Sequence, residues 1–247
     1  MNKLNETYLK VKQIFGNHTE PLKSVQLVET YRQYFKPEKV RVVLLAESHV
    51  FTLEDDRQIV IPPIIDLPGY PTEYARFVYC LGYGEKHLTK NQNHPKHDGT
   101  PQYWKLFFSC SNHVSALLDF APILGQTLPQ QRLANKIALL KDLKSKGIWL
   151  VDASIVALYK DGKKIPNMLP ALEESWQSYT REVVVSACPE HVICIGKGVA
   201  GIVEKDLKKD FDNKYTVIPQ PNAFLSSEEH MANYKIYSSI CCNFRDH

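Results

Sequence analysis

The sequence lacks the features that define several large classes of protein. No apolar run approaches the roughly 20 residues of a membrane-spanning helix, and residues 1–6 have no apolar core of the kind that opens a signal peptide. None of the six cysteines forms a CxxC pair, the usual spacing in zinc and iron–sulfur sites. We therefore expect a cytoplasmic monomer with reduced thiols, without membrane association, and with no cofactor, metal or iron–sulfur cluster.

The chain also lacks a strong charge imbalance. Its formal net charge of +3 is compatible with a polyanionic partner, but many proteins that bind no nucleic acid are equally basic. With 44% hydrophobic and 23% charged residues, the 247-residue chain is long enough to bury one large core. We expect a single domain over 1–247 that begins with a helical segment over 1–38.

Short apolar runs alternate with helical patterns, which predicts a parallel sheet covered by helices. The expected strands are 40–46, 148–151, 191–195 and 215–218. The expected helices are 5–15, 24–35, 72–81, 133–146, 172–188, 199–208 and 227–243. The prediction is an α/β three-layer sandwich with a central, mostly parallel four-stranded sheet flanked by helices.

Two segments interrupt this alternation. Residues 52–70 are rich in proline and acidic residues, and residues 84–102 are rich in His, Asn and Lys. We expect both to be loops or insertions. Loops of this length are uncommon in compact domains and often functional, so substrate contact is one interpretation, and a solvated surface loop is the other.

Polar residues follow each expected strand. In open parallel sheets, ligands bind beyond the carboxyl ends of the strands. This rule selects four clusters, which are Glu47-Ser48-His49, Asp152-Ala153-Ser154, Gly196-Lys197-Gly198 and Gln220-Pro221-Asn222. Together they offer carboxylates, a histidine, amides and a candidate anion site.

These strand ends resemble, in the same chain order, the motifs of the uracil-DNA glycosylase superfamily. Residues 43–51 (VLLAESHVF) are similar to the first motif, GQDPYH in the main branch and GEAPG in another. Residues 147–153 (GIWLVDA) resemble GVLLLNA, which presents the residue that reads the base. Residues 192–197 (VICIGK) are similar to a family strand that ends in glycine. Residues 219–226 (PQPNAFLS) resemble the final motif, HPSPLS or PNPSGLS.

The resemblance implies a uracil-DNA glycosylase-like domain that acts on DNA. Such an enzyme flips a nucleotide out of the helix and reads its base in a pocket. It then hydrolyses the N-glycosidic bond and leaves an abasic site. The reaction places positive charge on the sugar and negative charge on the departing base, and the site must stabilise both.

The resemblance implies catalytic roles at the first and last clusters. Glu47 falls where the GEAPG branch has its glutamate and is the candidate to position water; the alternative is a carboxylate that only caps a loop or pairs with a basic residue. Ser48, expected in the base pocket, stands where the main branch has its aspartate and cannot act as a base at neutral pH. His49 is expected to stabilise the base or contact phosphate, with a structural histidine as the alternative. Gln220 is the expected donor to the base carbonyl, and Phe51 is the candidate to stack on the base.

Asp152 is the most informative departure from the family pattern. The main branch has an asparagine there, whose amide donates to O4 and accepts from N3–H of uracil, whereas an ionised carboxylate only accepts. It would oppose O4 of uracil, at a cost of roughly a few kcal/mol, but it suits the N4 amino group of cytosine. A protonated carboxyl or an Asp that caps the next turn is the alternative.

Val50 stands where the main branch has the tyrosine that closes off C5 of the pyrimidine. Valine leaves room there, so Val50 and Asp152 together predict a C5-modified cytosine as the target. Such bases occur in phage DNA, which makes antiviral defence a hypothesis for the role. The alternative is that Val50 belongs to the core.

The resemblance also suggests the contacts to DNA. Lys197, Asn222 and Ser226 are expected at phosphates beside the flipped nucleotide. Phe224 and Leu225 are expected to wedge into the vacated base stack, with a plain proline turn as the alternative.

Three other functions stay open at this point. The first is a conventional uracil-DNA glycosylase of base excision repair. The second is an inactive relative that only binds DNA, suggested by the serine at position 48. The third is a nucleotide-metabolising or unrelated α/β protein.

Overall fold

A parallel sheet forms the centre of the protein, which is described here from a computed structural model over residues 2–89 and 99–242. Its strands are β1 (Val42–Ala46), β2 (Ile148–Asp152), β5 (His191–Ile195) and β6 (Tyr215–Ile218). They pair in the order β2-β1-β5-β6, all in parallel. A separate antiparallel hairpin joins β3 (Tyr159–Lys160) to β4 (Lys163–Lys164). The predicted α/β class and four-stranded parallel sheet are confirmed.

Helices cover both faces of this sheet. Their bounds are α1 Lys3–Phe15, α2 Leu22–Tyr34, α3 Pro101–Ser111, α4 Pro129–Ser145, α5 Met168–Ser175, α6 Arg181–Ser186, α7 Lys197–Phe211 and α8 Ser227–Cys242. Short 3₁₀ turns lie at Gly16–His18, Asp55–Gln58, Lys86–Thr89 and Leu117–Ile123, and a π-helical turn at Trp176–Thr180 joins α5 to α6. In the described part of the chain, no helix combines the length and apolar character needed to cross a membrane.

Strand β1 shows why its sequence is apolar at every position. Successive side chains of a strand point to opposite faces, and Leu44 packs into the core that contains α2, α3, α4 and α8. Its neighbour Leu45 packs into the core that contains α1, α5 and α7. All five residues of β1 are buried, as the unbroken apolar run predicts for a strand covered on both faces.

Most helix predictions are confirmed to within a few residues, but the helix expected at 72–81 is wrong. This segment is irregular, and its backbone joins the preceding loop, for example where the Tyr74 amide donates to the Ile59 carbonyl at 3.2 Å. Residues 77–83 carry six side chains, since Gly82 has none, and all six are apolar or aromatic and buried. A surface helix buries one stripe of residues, so a run buried at successive positions does not suit it.

The two segments expected to be loops are irregular over most of their described residues. Residues 52–70 are irregular apart from the turn at Asp55–Gln58, but Ile61 and Tyr70 are buried there, so the segment is not simply a solvated loop. The second segment, 84–102, ends inside α3, a helix that was not predicted and that has a proline in its first turn. Residues 90–98 lie outside the described residues. The helix expected at 172–188 is divided into α5, the π-helical turn and α6.

Candidate active site

A cleft of about 810 Å³ opens beyond the carboxyl ends of β1 and β6. Residues 47–51, which follow β1, line it together with Gln220 and Asn222, which follow β6. Three tyrosines complete much of its wall, namely Tyr83, Tyr103 and Tyr159. Small-molecule sites commonly enclose about 300–1,000 Å³, so the cleft is large enough for a ligand of that class. Its place at the strand ends is the one that the parallel sheet predicts.

Two of the predicted catalytic side chains meet in this cleft. The Gln220 side-chain amide donates to Glu47 Oε2 at 3.0 Å, and both residues are half-buried. Glu47 follows β1 and Gln220 follows β6, and these two strands are separated in the sheet by β5. Because a primary amide has two N–H groups, Gln220 keeps one donor for a ligand while it holds the carboxylate.

A glycine at the end of β5 makes room for this contact. Gly196 has φ +111°, a conformation that residues with a side chain rarely adopt. A Cβ at this position would lie 2.8 Å from Cγ of Gln220. The Gly196 amide donates to the Ile218 carbonyl at 2.7 Å, which ties the end of β5 to that of β6. Gly196 is therefore a steric requirement of the site.

Two tyrosines place neutral phenols beside Glu47. Burial raises the pKa of Tyr159, and the neighbouring Glu47 carboxylate raises it further. Burial also raises the pKa of Tyr103, with smaller contributions from Asp152 and Glu47. Both phenols therefore keep their protons at neutral pH and can donate hydrogen bonds. Sequence analysis missed both residues, because Tyr103 lies in the unpredicted α3 and Tyr159 lies outside the segments that resemble family motifs.

Asp152 lies behind the cleft and is not among the residues that line it. Its side chain is only 2% exposed, and Oδ2 accepts a hydrogen bond from the Arg32 guanidinium at 3.0 Å. Arg32 also pairs with Glu29 one turn earlier in α2. The carboxylate is thus occupied by a buried cation. A carboxylate can accept several hydrogen bonds, but Asp152 does not line the cleft, so base recognition by Asp152 stays a prediction without support from its position.

His49 belongs to the same buried network. Its side chain is fully buried, Nε2 donates to Glu20 Oε1 at 2.7 Å, and Nδ1 lies 3.6 Å from Asp152 Oδ2. Burial alone lowers the pKa of His49, but Glu20 and Asp152 outweigh it and raise the pKa to about 9. Both nitrogens of the charged ring face carboxylates, which favours the structural alternative over the expected catalytic role. Glu20 also accepts from the Ala157 amide at 2.6 Å, so the network joins three separate segments.

The remaining base-pocket candidates lie along the loop that follows β1. Ser48 Oγ accepts from the Leu158 amide at 3.3 Å, which ties this loop to the segment that follows β2. Val50 is 36% exposed in the cleft and is not a core residue. Phe51 is largely buried but lines the cleft, and the Lys160 ammonium lies 4.8 Å from its ring centroid.

The residues expected to contact DNA have different surroundings. Lys197 is exposed at the first position of α7, outside the cleft lining. Phe224 is fully exposed, and Leu225 is half-buried. Ser226 caps α8, since its Oγ accepts from the Glu229 amide at 3.2 Å and its own amide donates to Glu229 at 2.7 Å. The S-x-x-E spacing already contains this signal, and the cap competes with the expected phosphate contact.

The cleft therefore offers a carboxylate, a side-chain amide and two phenols to a ligand. Among the described residues, no group of three or more His, Cys, Asp or Glu side chains is arranged to hold a metal ion. Comparison of the chain with protein-family models, with curated proteins and with solved structures found no match. A function for the site must be argued from its own chemistry.

Proposed function

We propose that the protein is a DNA N-glycosylase, which hydrolyses the bond between a flipped-out base and its sugar. The observation that carries the proposal is the contact between Glu47 and Gln220 inside the cleft. It places a carboxylate and an amide donor within one ligand's reach, and these are the groups that the reaction needs at its two ends. The resemblance of both strand ends to glycosylase motifs supports the same assignment.

The two side chains have complementary tasks in this reaction. The Glu47 carboxylate accepts a hydrogen bond from the attacking water and stabilises the positive charge that develops on the sugar. Gln220 donates its second N–H to the base as negative charge builds on a carbonyl oxygen. The phenol of Tyr159, neutral at physiological pH, supplies a further donor next to the carboxylate.

The cleft rim supports a nucleic acid as substrate. Asn222 lines the cleft after β6 and is proposed to contact a phosphate. Two residues further along, Phe224 is a fully exposed aromatic side chain. An apolar ring in this position is suited to enter the stack that a flipped nucleotide vacates.

Val50 leaves space in the cleft beside C5 of a bound pyrimidine. We therefore propose that the target base is a pyrimidine with a C5 substituent, such as a modified cytosine. Uracil is the second candidate. The argument against uracil relied on an Asp152 carboxylate that faces the base, and Asp152 does not line the cleft. A modified cytosine as the target would indicate antiviral defence, and uracil would indicate excision repair.

A cleavage assay on labelled duplexes tests the proposal. The duplexes carry uracil, cytosine, 5-methylcytosine, 5-hydroxymethylcytosine or its glucosylated form at one position, and alkali converts abasic sites to strand breaks. We expect Glu47→Gln to lower the rate by about 10²–10³-fold, the range for removal of a transition-state contact. Glu54→Gln is the matched control, because Glu54 is 77% exposed and lies outside the cleft; it should cleave at the wild-type rate.

The outcomes separate the candidate functions. Cleavage of uracil alone would replace modified cytosine by uracil as the target. No alkali-labile product from any base, with DNA binding intact, would refute the enzyme and leave the binding-only alternative. Equal rates for Glu47→Gln and Glu54→Gln would refute the role of Glu47.

A further inference from the structure

The β3–β4 hairpin forms one wall of the cleft. Each of its strands has two residues, and these face each other in pairs, Tyr159 with Lys164 and Lys160 with Lys163. The turn residues Asp161 and Gly162 have φ of +51° and +75°, as in the two-residue hairpin turns that suit the twist of the strands. Tyr159 and both turn residues line the cleft. The hairpin tip therefore stands at the cleft rim.

This hairpin carries an excess of positive charge. Lys160, Lys163 and Lys164 lie within five residues that contain one carboxylate, Asp161, and in the described part of the chain none of these lysines forms an ion pair. Arg76, also in the cleft lining, is by contrast paired with Asp56 at 2.8 Å. The hairpin lysines are thus available to an external anion.

The pairing of these lysines is unfavourable in the isolated protein. Lys160 and Lys163 are directly opposite each other across the hairpin, and like charges in that position destabilise a strand pair. An anion between or beside them would relieve the repulsion. The Lys160 ammonium lies 4.8 Å from the ring centroid of Phe51, a residue of the cleft lining, so part of this charge is directed at the cleft itself.

We propose that the hairpin binds the phosphodiester backbone of the DNA strand whose nucleotide enters the cleft, with Lys160 and Lys163 on one face of the hairpin at one phosphate and Lys164 on the other face at a neighbouring phosphate. A DNA strand presents regularly spaced negative charges, so it can offer a phosphate to each face of the hairpin, which a single small anion cannot do. This inference rests on the proposed function, in that DNA is the substrate. It adds a contact surface formed by a hairpin that none of the motif resemblances includes.

Salt-dependent DNA binding tests the hairpin. The probe is a fluorescent duplex of unmodified bases, and its affinity is measured between 50 and 200 mM salt. The logarithm of the binding constant falls with that of the salt concentration, with a slope of about −0.9 for each phosphate contact in duplex DNA. Lys163→Gln/Lys164→Gln, at two exposed positions, should make the slope shallower by about 2 and weaken binding. Lys205→Gln/Lys208→Gln removes the same charge from exposed positions in the second half of α7 and should behave as wild type.

The results distinguish this proposal from the proposed function. Equal slopes for the hairpin and α7 variants would overturn the hairpin contact, even if wild type releases a base. A shallower slope for the hairpin variant alone would support it, even if no base is released from any duplex. No binding of DNA by the wild-type chain at 50 mM salt would overturn the hairpin proposal together with the glycosylase.

Discussion

The charged state of His49 has a measurable consequence for stability. A histidine whose pKa is higher in the folded than in the unfolded protein stabilises the fold below its unfolded pKa. The pKa of His49 rises from 6.5 to about 9 on folding, because Glu20 and Asp152 outweigh the effect of burial. Its contribution is therefore complete only below pH 6.5 and is lost as the pH rises through 9.

The size of this contribution follows from the same pKa. A tenfold change in proton affinity corresponds to about 1.4 kcal/mol, so the rise from 6.5 to about 9 corresponds to about 3 kcal/mol of the free energy of unfolding. Replacement by glutamine removes this titration. The difference in stability between wild type and His49→Gln should accordingly shrink by about 3 kcal/mol between pH 6.5 and 9.5.

Urea unfolding at several pH values measures this difference. Tyrosine, cysteine and lysine titrations cancel when the variant is compared with wild type at each pH. His191→Gln is the matched control, because burial lowers the pKa of His191, so that only its unfolded form titrates near pH 6.5. Its stability difference from wild type should change by no more than about 0.4 kcal/mol over the same range, in the opposite direction.

A specific result would refute the reasoning. If the difference for His49→Gln changes no more than that for His191→Gln between pH 6.5 and 9.5, then His49 is not held as a cation between Glu20 and Asp152. The histidine would then be free for the catalytic role that the motif suggests.

Two further substitutions test residues that hold the side chains in and behind the cleft in position. Gly196→Ala forces a Cβ to within 2.8 Å of Gln220. We expect the free energy of unfolding, measured in urea, to fall by about 1–3 kcal/mol. The cleavage rate should fall to that of Gln220→Ala. Gly201→Ala, with open space around it in α7, should stabilise by about 0.5–1 kcal/mol and keep the wild-type rate. Asp152→Asn weakens the buried ion pair of Arg32 and should lower the free energy of unfolding by up to about 3–5 kcal/mol. An unchanged urea midpoint together with an altered base preference would instead show that Asp152 recognises the base.

The strands could be predicted from sequence because their signals are local. β1 and β5 are short apolar runs whose ends are marked by polar residues or glycine, and such runs suit a buried parallel strand whatever surrounds them. The strand-end rule then places Glu47 and Gln220 at one edge of the sheet. Their contact at 3.0 Å agrees with that expectation.

The failures occurred where burial depends on distant partners. Residues 72–81 contain helix-compatible apolar residues, but tertiary packing buries them on all sides and leaves no helical stripe. The prediction missed α3 because it extended the polar segment 84–102 into the first turn of this helix, although a proline in the first turn is a helix-start signal.

The sequence by itself determined the sheet and the chemical groups at its carboxyl edge, because both follow from residues that are neighbours in the chain. Only the tertiary structure decided which of those groups face the cleft. Asp152 and Arg32 are 120 positions apart, and no local pattern indicates that a helix near the N-terminus supplies the cation for a strand-end carboxylate. A buried charge must find a partner wherever the fold offers one, and this requirement placed the side chains of Asp152 and His49 in one buried network.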